Sequence, residues 1–416
     1  MDTNAPVIER KFTGYQVLVI ILLALTQFTV VLDFMVMSPL GDMLMKSMSL
    51  TTSQFGFAVS GYAFSAGISG LLTAGFADRF DRKKLLLFFY VGFIVGTLFC
   101  GLASSYFMLI AARIITGLFG GVIGSVSMAI VADLFPLHQR GRAMGFIQMG
   151  FGASQVLGIP ISLYIANHWG WQSPFLMIVG LATVIWLMTM LKLQPVTEHL
   201  ELKTEKTAIK HLWHTIKQRR YRIGFLMTAL LSLGGFMMMP WGSAFAVNNL
   251  NVSYEQLPVL FMASGIAALI IMPLIGRLSD KIDKVKIFFA AAVTMMVIIV
   301  IYTNLPPVHF SIIMMLNVLM MIAIMSRIVP AMALVSALPE MQDRGAFMSV
   351  NSSLQQVAGG IAAGVGGLIV VQKTKTSPLE HYDTLGYVIV ILIIANIIMM
   401  YRVSSLVKKQ NQTVKT

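Results

Sequence analysis

Cysteine is nearly absent from this chain of 416 residues: Cys100 stands alone. No intrachain disulfide can form, and a single thiol inside an apolar run reads as a small buried hydrophobe. Charge is also scarce. Charged residues make up 11% of the chain, against about 25% in ordinary globular proteins. Hydrophobic residues reach 57%. A water-soluble core has no room for that much apolar surface, so lipid must be the solvent. Catalytic patterns are missing too. There is no His-x-x-x-His, no pair of carboxylates within one apolar run, and no Gly-Lys-Ser/Thr beside the glycine-rich stretch 359–367. These absences argue against a zinc hydrolase, a paired-acid enzyme and a phosphate loop. The 31 Met residues come without the Cys or His that a copper site would add, so no metal is expected. No extramembrane segment is long enough for a catalytic or sensor domain.

What is present is a series of apolar runs. A helix needs about 20 apolar residues to cross a bilayer core, and lipid cannot satisfy an open strand. Twelve spans are predicted: 15–40, 53–77, 84–104, 106–134, 142–166, 171–193, 222–247, 255–278, 285–304, 309–338, 344–372 and 382–407. The fifth and eleventh are the least apolar. The net charge of +13 might suggest nucleic acid, but the basic residues share no single face. Of the 30 Lys and Arg, only Lys46, Lys373 and Lys375 fall in alternate loops, and only Arg113 and Arg327 lie deep within the apolar runs, away from the basic ends. The rest mark one side. By the positive-inside rule both termini are expected in the cytoplasm. The first run, Val17 to Pro39, is too long for a cleavable leader and is read as a span. Between spans six and seven lies a basic segment, 194–221, with Ile209, Leu212, Trp213 and Ile216 at helical spacing. It reads either as an amphipathic helix on the anionic leaflet or as a flexible linker.

The chain repeats itself. The charged stretch Ala74-Gly-Phe-Ala-Asp-Arg-Phe-Asp-Arg-Lys-Lys84 returns, weakened, as Gly276-Arg-Leu-Ser-Asp-Lys-Ile-Asp-Lys-Val-Lys286. At one offset Asp78 matches Asp280, Arg79 matches Lys281, Asp81 matches Asp283, and Arg82 matches Lys284. Met37-Ser-Pro-Leu-Gly41 matches Met238-Met-Pro-Trp-Gly242, and Arg140-Gly141 matches Arg344-Gly345. Six spans per copy give both halves the same orientation, so the symmetry axis runs along the membrane normal. The domains expected are 1–193, a linker 194–221, and 222–416.

Asp33 is the one carboxylate deep inside an apolar run, and Thr26, Thr29 and Asp33 share a helical face. Isolated charge is costly in lipid, so this face should meet the bundle interior. Burial disfavours a charged carboxylate and a nearby cation favours it. Asp33 is therefore either a proton-coupling group or half of a permanent ion pair. Arg113 is the natural partner. At 1.5 Å per residue Asp33 lies about 27 Å, and Arg113 about 31 Å, from the inner ends of their helices. Arg327 lies about 16 Å from its own inner end; it either attracts an anionic substrate or bonds backbone carbonyls near Pro330. Gln148, Gln155 and Ser162 repeat every seven residues, and Asn351 and Gln355 form a similar pair. These amides either line a substrate pocket or hydrogen-bond between helices. Trp241, beside Pro240, either caps an aromatic pocket or belongs to the interfacial belt. Small residues at four-residue spacing in 359–367 allow close helix approach.

Twelve spans in six-plus-six form, with a charged loop after spans 2 and 8, resemble the major facilitator superfamily. The loop resembles the family signature Gly-x-Leu-Ala-Asp-Arg-x-Gly-Arg-Lys, with Ala74 and Asp81 in place of two glycines. The resemblance implies an all-α membrane protein of two pseudo-symmetric six-helix bundles. It implies a conformational latch in which the loop Asp caps a helix of the other half and its second Arg pairs with an acid ending helix 4. Asp78, Arg82 and Asp133 occupy those positions, and Asp280 and Lys284 repeat them; the bland alternative is that these charges only set topology. Arg113-Ile-Ile-Thr-Gly117 resembles the drug:proton antiporter pattern Arg-x-x-Gln-Gly. Gly150, Gly152 and Gly158-Ile-Pro160 resemble a loose antiporter helix-5 motif, closer to the sugar-efflux relatives. In the family helices 1 and 4 line the central cavity, which makes an Asp33–Arg113 pair feasible around a shared hollow.

The expectation is a proton-coupled secondary transporter of the inner membrane, working as a monomer by alternating access. It would export a small organic solute, with a proton gradient and no cofactor. A proton-symport importer is the alternative, and a non-transporting membrane receptor is a third reading.

Overall fold

A computed structural model describes residues 12–73, 77–197, 200, 208–340 and 343–413. Sixteen α-helices occur among them: α1 (Gly14–Val36), α2 (Gly41–Met48), α3 (Thr52–Thr73), α4 (Arg82–Gly101), α5 (Tyr106–Leu134), α6 (Leu137–Ala153), α7 (Ile159–Trp169), α8 (Ser173–Lys192), α9 (Ala208–Lys217), α10 (Arg219–Phe236), α11 (Gly242–Asn248), α12 (Leu257–Lys281), α13 (Lys284–Thr303), α14 (Phe310–Val335), α15 (Arg344–Ile369) and α16 (Tyr382–Thr413). The fifth span is α6 and α7 joined by a π turn, Ser154–Gly158. The seventh is α10 and α11 joined by a 3-10 turn, Met239–Trp241. Helices α2 and α9 lie outside the twelve spans. The end of the bundle carrying the termini, α9 and the two charged turns is called the terminal face below; the other end is the distal face.

Eleven of these spans are long and apolar enough to cross a membrane by composition alone. The twelfth, α15, carries Asn351, Gln355, Gln356 and a run of glycines. Its neighbours explain its polarity. It packs along its length against α3 of the other half, so protein covers that face while Ile361, Val365 and Leu368 stay exposed on another. The approach is close: a Cβ added at Gly56 would lie 2.7 Å from the Ala363 carbonyl, and one at Gly366 would lie 2.7 Å from the Met237 carbonyl. The glycines are there to let backbones touch. A second seam joins the π turn and α7 to α12, where Gly265 faces the Gln155 carbonyl. Large apolar side chains such as Phe107, Leu191 and Ile391 point outward, as lipid-facing residues must.

The duplication is visible in the caps. Asp81 accepts from Lys83 N–H at 2.9 Å and starts α4; Asp283 accepts from Val285 N–H at 2.9 Å and starts α13. Both caps share nearly one conformation, φ −53°, ψ 122° and φ −54°, ψ 122°. Asp81 thus supplies a side-chain cap where the signature it resembles has glycine. Pro160 has no N–H to return to the preceding turn, and the π turn directly before it absorbs the lost bond.

The two copies of the Met-x-Pro-x-Gly segment meet at the distal face. Ser38 Oγ donates to the Met239 carbonyl, and Ser243 Oγ donates to the Ser38 carbonyl at 2.8 Å. Repeated segments that touch each other lie beside the symmetry axis.

Candidate functional site

Asp33 and Arg113 form an ion pair, Oδ2 to Nη1, at 2.9 Å. Both side chains have no exposed surface. Thr97 Oγ1, from α4, donates to the other Asp33 oxygen at 3.1 Å. The Arg113 guanidinium lies 4.5 Å from the centre of the Tyr62 ring, on α3. Four helices of one half thus enclose the pair. Arg113 Nε and Nη2 have no partner among the described residues. A buried pair holds only if both charges stay matched; losing one partner costs about 3–5 kcal/mol. The arrangement can therefore keep two states of one proton far apart in energy.

An aromatic path leads from this pair to the other half. The Tyr62 ring lies 5.2 Å from Phe34, and Phe34 lies 5.8 Å from Phe236 of α10. Phe236 lines a cavity of about 90 Å³ together with Thr228, Ser232, Met332, Asn351 and Gln355. This space is smaller than the roughly 300–1,000 Å³ typical of small-molecule pockets. Met332 and Met348 of its wall are exposed, so the space opens outward on that side.

The expected substrate residues are divided by the structure. Asn351 and Gln355 line the cavity. Arg327 does not: it is buried against the Phe288 ring of α13, 5.5 Å from its centre. Asp33, Arg113 and Arg327 are all shielded from lipid, but Arg327 belongs to the opposite half and to a separate cluster. Gln148 is exposed on α6, and Gln155 is buried in the π turn facing α12. Trp241 is fully buried, edge-on to Phe55 at 5.5 Å. It fills the seam between the halves rather than a belt or the cavity, because the α15 glycines leave room for its ring.

Of the loop residues, Arg82 Nε lies 3.2 Å from Asp133 Oδ2. Lys284 Nζ donates to the Ser279 carbonyl at 2.8 Å. The Asp78 and Asp280 side chains lie outside the described residues. Gly150 lets α6 touch α1, since a Cβ there would sit 2.6 Å from the Ala24 carbonyl; Gly158 faces Leu32 at the same close range.

A cluster that sequence reasoning missed closes the distal face. Asp42 is 1% exposed and pairs with Lys46 at 2.8 Å. It accepts from Asn248 Nδ2 at 2.5 Å and from the Tyr254 hydroxyl, both of the other half. Asn167 Nδ2 donates to the Tyr254 carbonyl at 2.8 Å. Burial first, then the bond to Asp42, pushes the Tyr254 phenol above its ordinary value, so it stays a donor. The available signal was the Asp42/Lys46 spacing of four on a short helix. Tyr62 and Thr97 carried no signal, since an uncharged Tyr or Thr in a span does not stand out from its neighbours.

The family model described as Major Facilitator Superfamily matches residues 23–363 and 224–415. The chain is 24% identical over 374 residues to the uncharacterised MFS-type transporter YbcL of Bacillus subtilis, covering 90% of this chain and 94% of that one. It is 24% identical over 281 residues to a protein of Helicobacter pylori named a probable sugar efflux transporter, covering 67% and 70%. Among solved structures, a D-xylose-proton symporter superposes with a TM-score of 0.75 at 16% identity, covering 94% of this chain and 97% of that one.

Proposed function

The chain belongs to the major facilitator superfamily, a family of multi-pass membrane transporters and not enzymes, and from that premise we propose that it exports a small organic solute in exchange for protons. The wholly buried Asp33–Arg113 pair carries this reading. Protonation of Asp33 breaks the pair and leaves Arg113 without its counter-charge. Tyr62, Phe34 and Phe236 lie between that pair and the cavity. A change in the pair can therefore move the wall that a substrate meets. The two halves rock against each other in alternating access. The distal cluster around Asp42 holds the state described here, and the Arg82–Asp133 pair, with Asp78, Asp280 and Lys284 beside the charged turns, forms the latch of the terminal face.

Relatives support a sugar-like or drug-like solute. Besides the probable sugar efflux protein, the multidrug resistance protein MdtG of Klebsiella pneumoniae is 25% identical over 245 residues. Asn351 and Gln355 would bond its polar groups, and Met332 and Phe236 would pack on its apolar ones. The basic residues on the terminal face support cytoplasmic termini in an inner membrane. A monomer suffices.

The test is transport into proteoliposomes under an imposed pH gradient. Export predicts solute movement opposite to the proton flow, and Asp33→Asn should abolish gradient-driven transport while sparing solute exchange. A solute that follows the protons would favour symport, the activity in the name of the structural neighbour. Full gradient-driven transport by Asp33→Asn sinks the coupling role.

A further inference from the structure

A second pocket lies on the terminal face of the second half, apart from the cavity lined by Asn351 and Gln355. The turn from α12 to α13 and the ends of α14 and α16 border an open recess of about 460 Å³. Lys281, Lys284 and Lys408 line it, with Asp283 as the carboxylate among its lining residues. Asp283 is already committed: it caps α13 through Val285 N–H and pairs with Lys408 at 3.1 Å. Lys284 uses one proton on the Ser279 carbonyl. Among the described side chains, three lysines and one carboxylate thus line the pocket.

The duplication shows what is unusual here. In the first half the residue matching Lys284 is Arg82, and Asp133 at the end of α5 neutralises it. The position matching Asp133 falls within Val335–Ala337, where no residue is an acid. Ala337 lines the pocket. The second half has kept the cation and lost its internal anion.

Ser404, 5% exposed, lines the pocket beside these lysines. Leu334, Val407 and Ile282 supply apolar wall beside these polar groups. A cationic recess with an apolar flank at the end of a helix bundle suits a phosphate carried on acyl chains.

We propose that this pocket binds an anionic phosphate group, that of a phospholipid headgroup, through Lys281, Lys284, Lys408 and Ser404. Such a lipid would tie the α12–α13 turn to the end of α16. The proposal does not depend on the substrate or on proton coupling.

Native mass spectrometry of the purified full chain tests it, with phosphatidylglycerol, phosphatidylcholine and inorganic phosphate as probes. Phosphatidylglycerol should bind at least about tenfold more tightly than phosphatidylcholine. The double substitution Lys281→Gln with Lys408→Gln should erase that preference, and the near-isosteric Ser404→Ala should weaken it several-fold. Lys373→Gln, a distal-face charge change, should leave it intact. Unchanged thermal unfolding of Ser404→Ala without lipid keeps the comparison valid even if the double variant is unstable. Equal retention of phosphatidylglycerol by wild type and Ser404→Ala together with the double variant overturns the site. Inorganic phosphate that displaces phosphatidylglycerol at equal concentration overturns the lipid assignment in favour of a free anion.

Discussion

Substituting Tyr254→Phe tests how the distal face is held shut. The Tyr254 hydroxyl donates to the Asp42 carboxylate and accepts from Lys46 Nζ at 3.1 Å. When the face opens, the same hydroxyl meets water. A hydrogen bond to a charged group is worth about 1.5–3 kcal/mol net. Losing it from the closed state alone shifts the equilibrium toward opening by roughly 10- to 150-fold. Spin labels at Ser104→Cys and Lys375→Cys, on distal loops of different halves, read this as a longer distance population by pulsed dipolar spectroscopy. Cys100 is buried, so it escapes labelling. The phenol is raised above its ordinary value of 10.0. Its neutral, donating form is therefore favoured by the closed state: the contribution is complete below pH 10 and disappears only as pH rises past the raised value. The shift should hence be the same at pH 6 and pH 8. Asp42→Asn should not add fully to Tyr254→Phe, because both remove one bond. An unchanged distance distribution, or full additivity, would refute the reasoning.

Three further outcomes are expected. Gly56→Ala places a Cβ 2.7 Å from the Ala363 carbonyl of the other half, so it should raise the distal-open population in the same spectroscopy, whereas Gly145→Ala, with nothing within 4 Å, should not. Asn351→Ala and Gln355→Ala should each raise the apparent KM of transport by about fivefold to tenfold, the scale of one lost hydrogen bond, with expression and melting temperature unaltered. Asp283→Ala should cost about 1 kcal/mol as a lost helix cap, read by melting in detergent. Asp81→Ala should cost more, because Asp81 also accepts from Val196 N–H at 3.0 Å. The Asp283 carboxyl is held below its ordinary 3.8, first by the Val285 N–H and then by Lys408. Its cap is thus complete above pH 3.8 and lost only below its lowered value, so the Asp283→Ala deficit should not vary between pH 5 and pH 8.

Much of the architecture was legible before any coordinates. Lipid requires that each span be apolar, continuous and helical, and that requirement writes itself into consecutive residues. The charged turns at 77–82 and 281–284 were readable because duplication repeats them in register. The site was legible only in part. Asp33 and Arg113 stood out because a charge in an apolar run is rare, and helical rise placed them at like depth. Thr97 and Tyr62, which hold the pair, look like any other span residue. Trp241 was misplaced on either reading, because the space it fills belongs to glycines on α15, a span more than a hundred residues away. Arg327 was read as attracting an anionic substrate or bonding carbonyls near Pro330, but helix rotation turns it toward Phe288.

The order of residues alone determined how many times the chain crosses, which side carries the basic loops, and that the two halves are copies. Those properties depend on solvent and on spacing along one helix. Tertiary structure alone decided which helix faces meet. It made Asp42 a clasp between the halves, left Asn351 and Gln355 on the cavity wall, and opened a basic recess beside Ser404. The reason is geometric: depth along a span follows from counting residues, whereas rotation about the span is set by neighbours that only packing brings together.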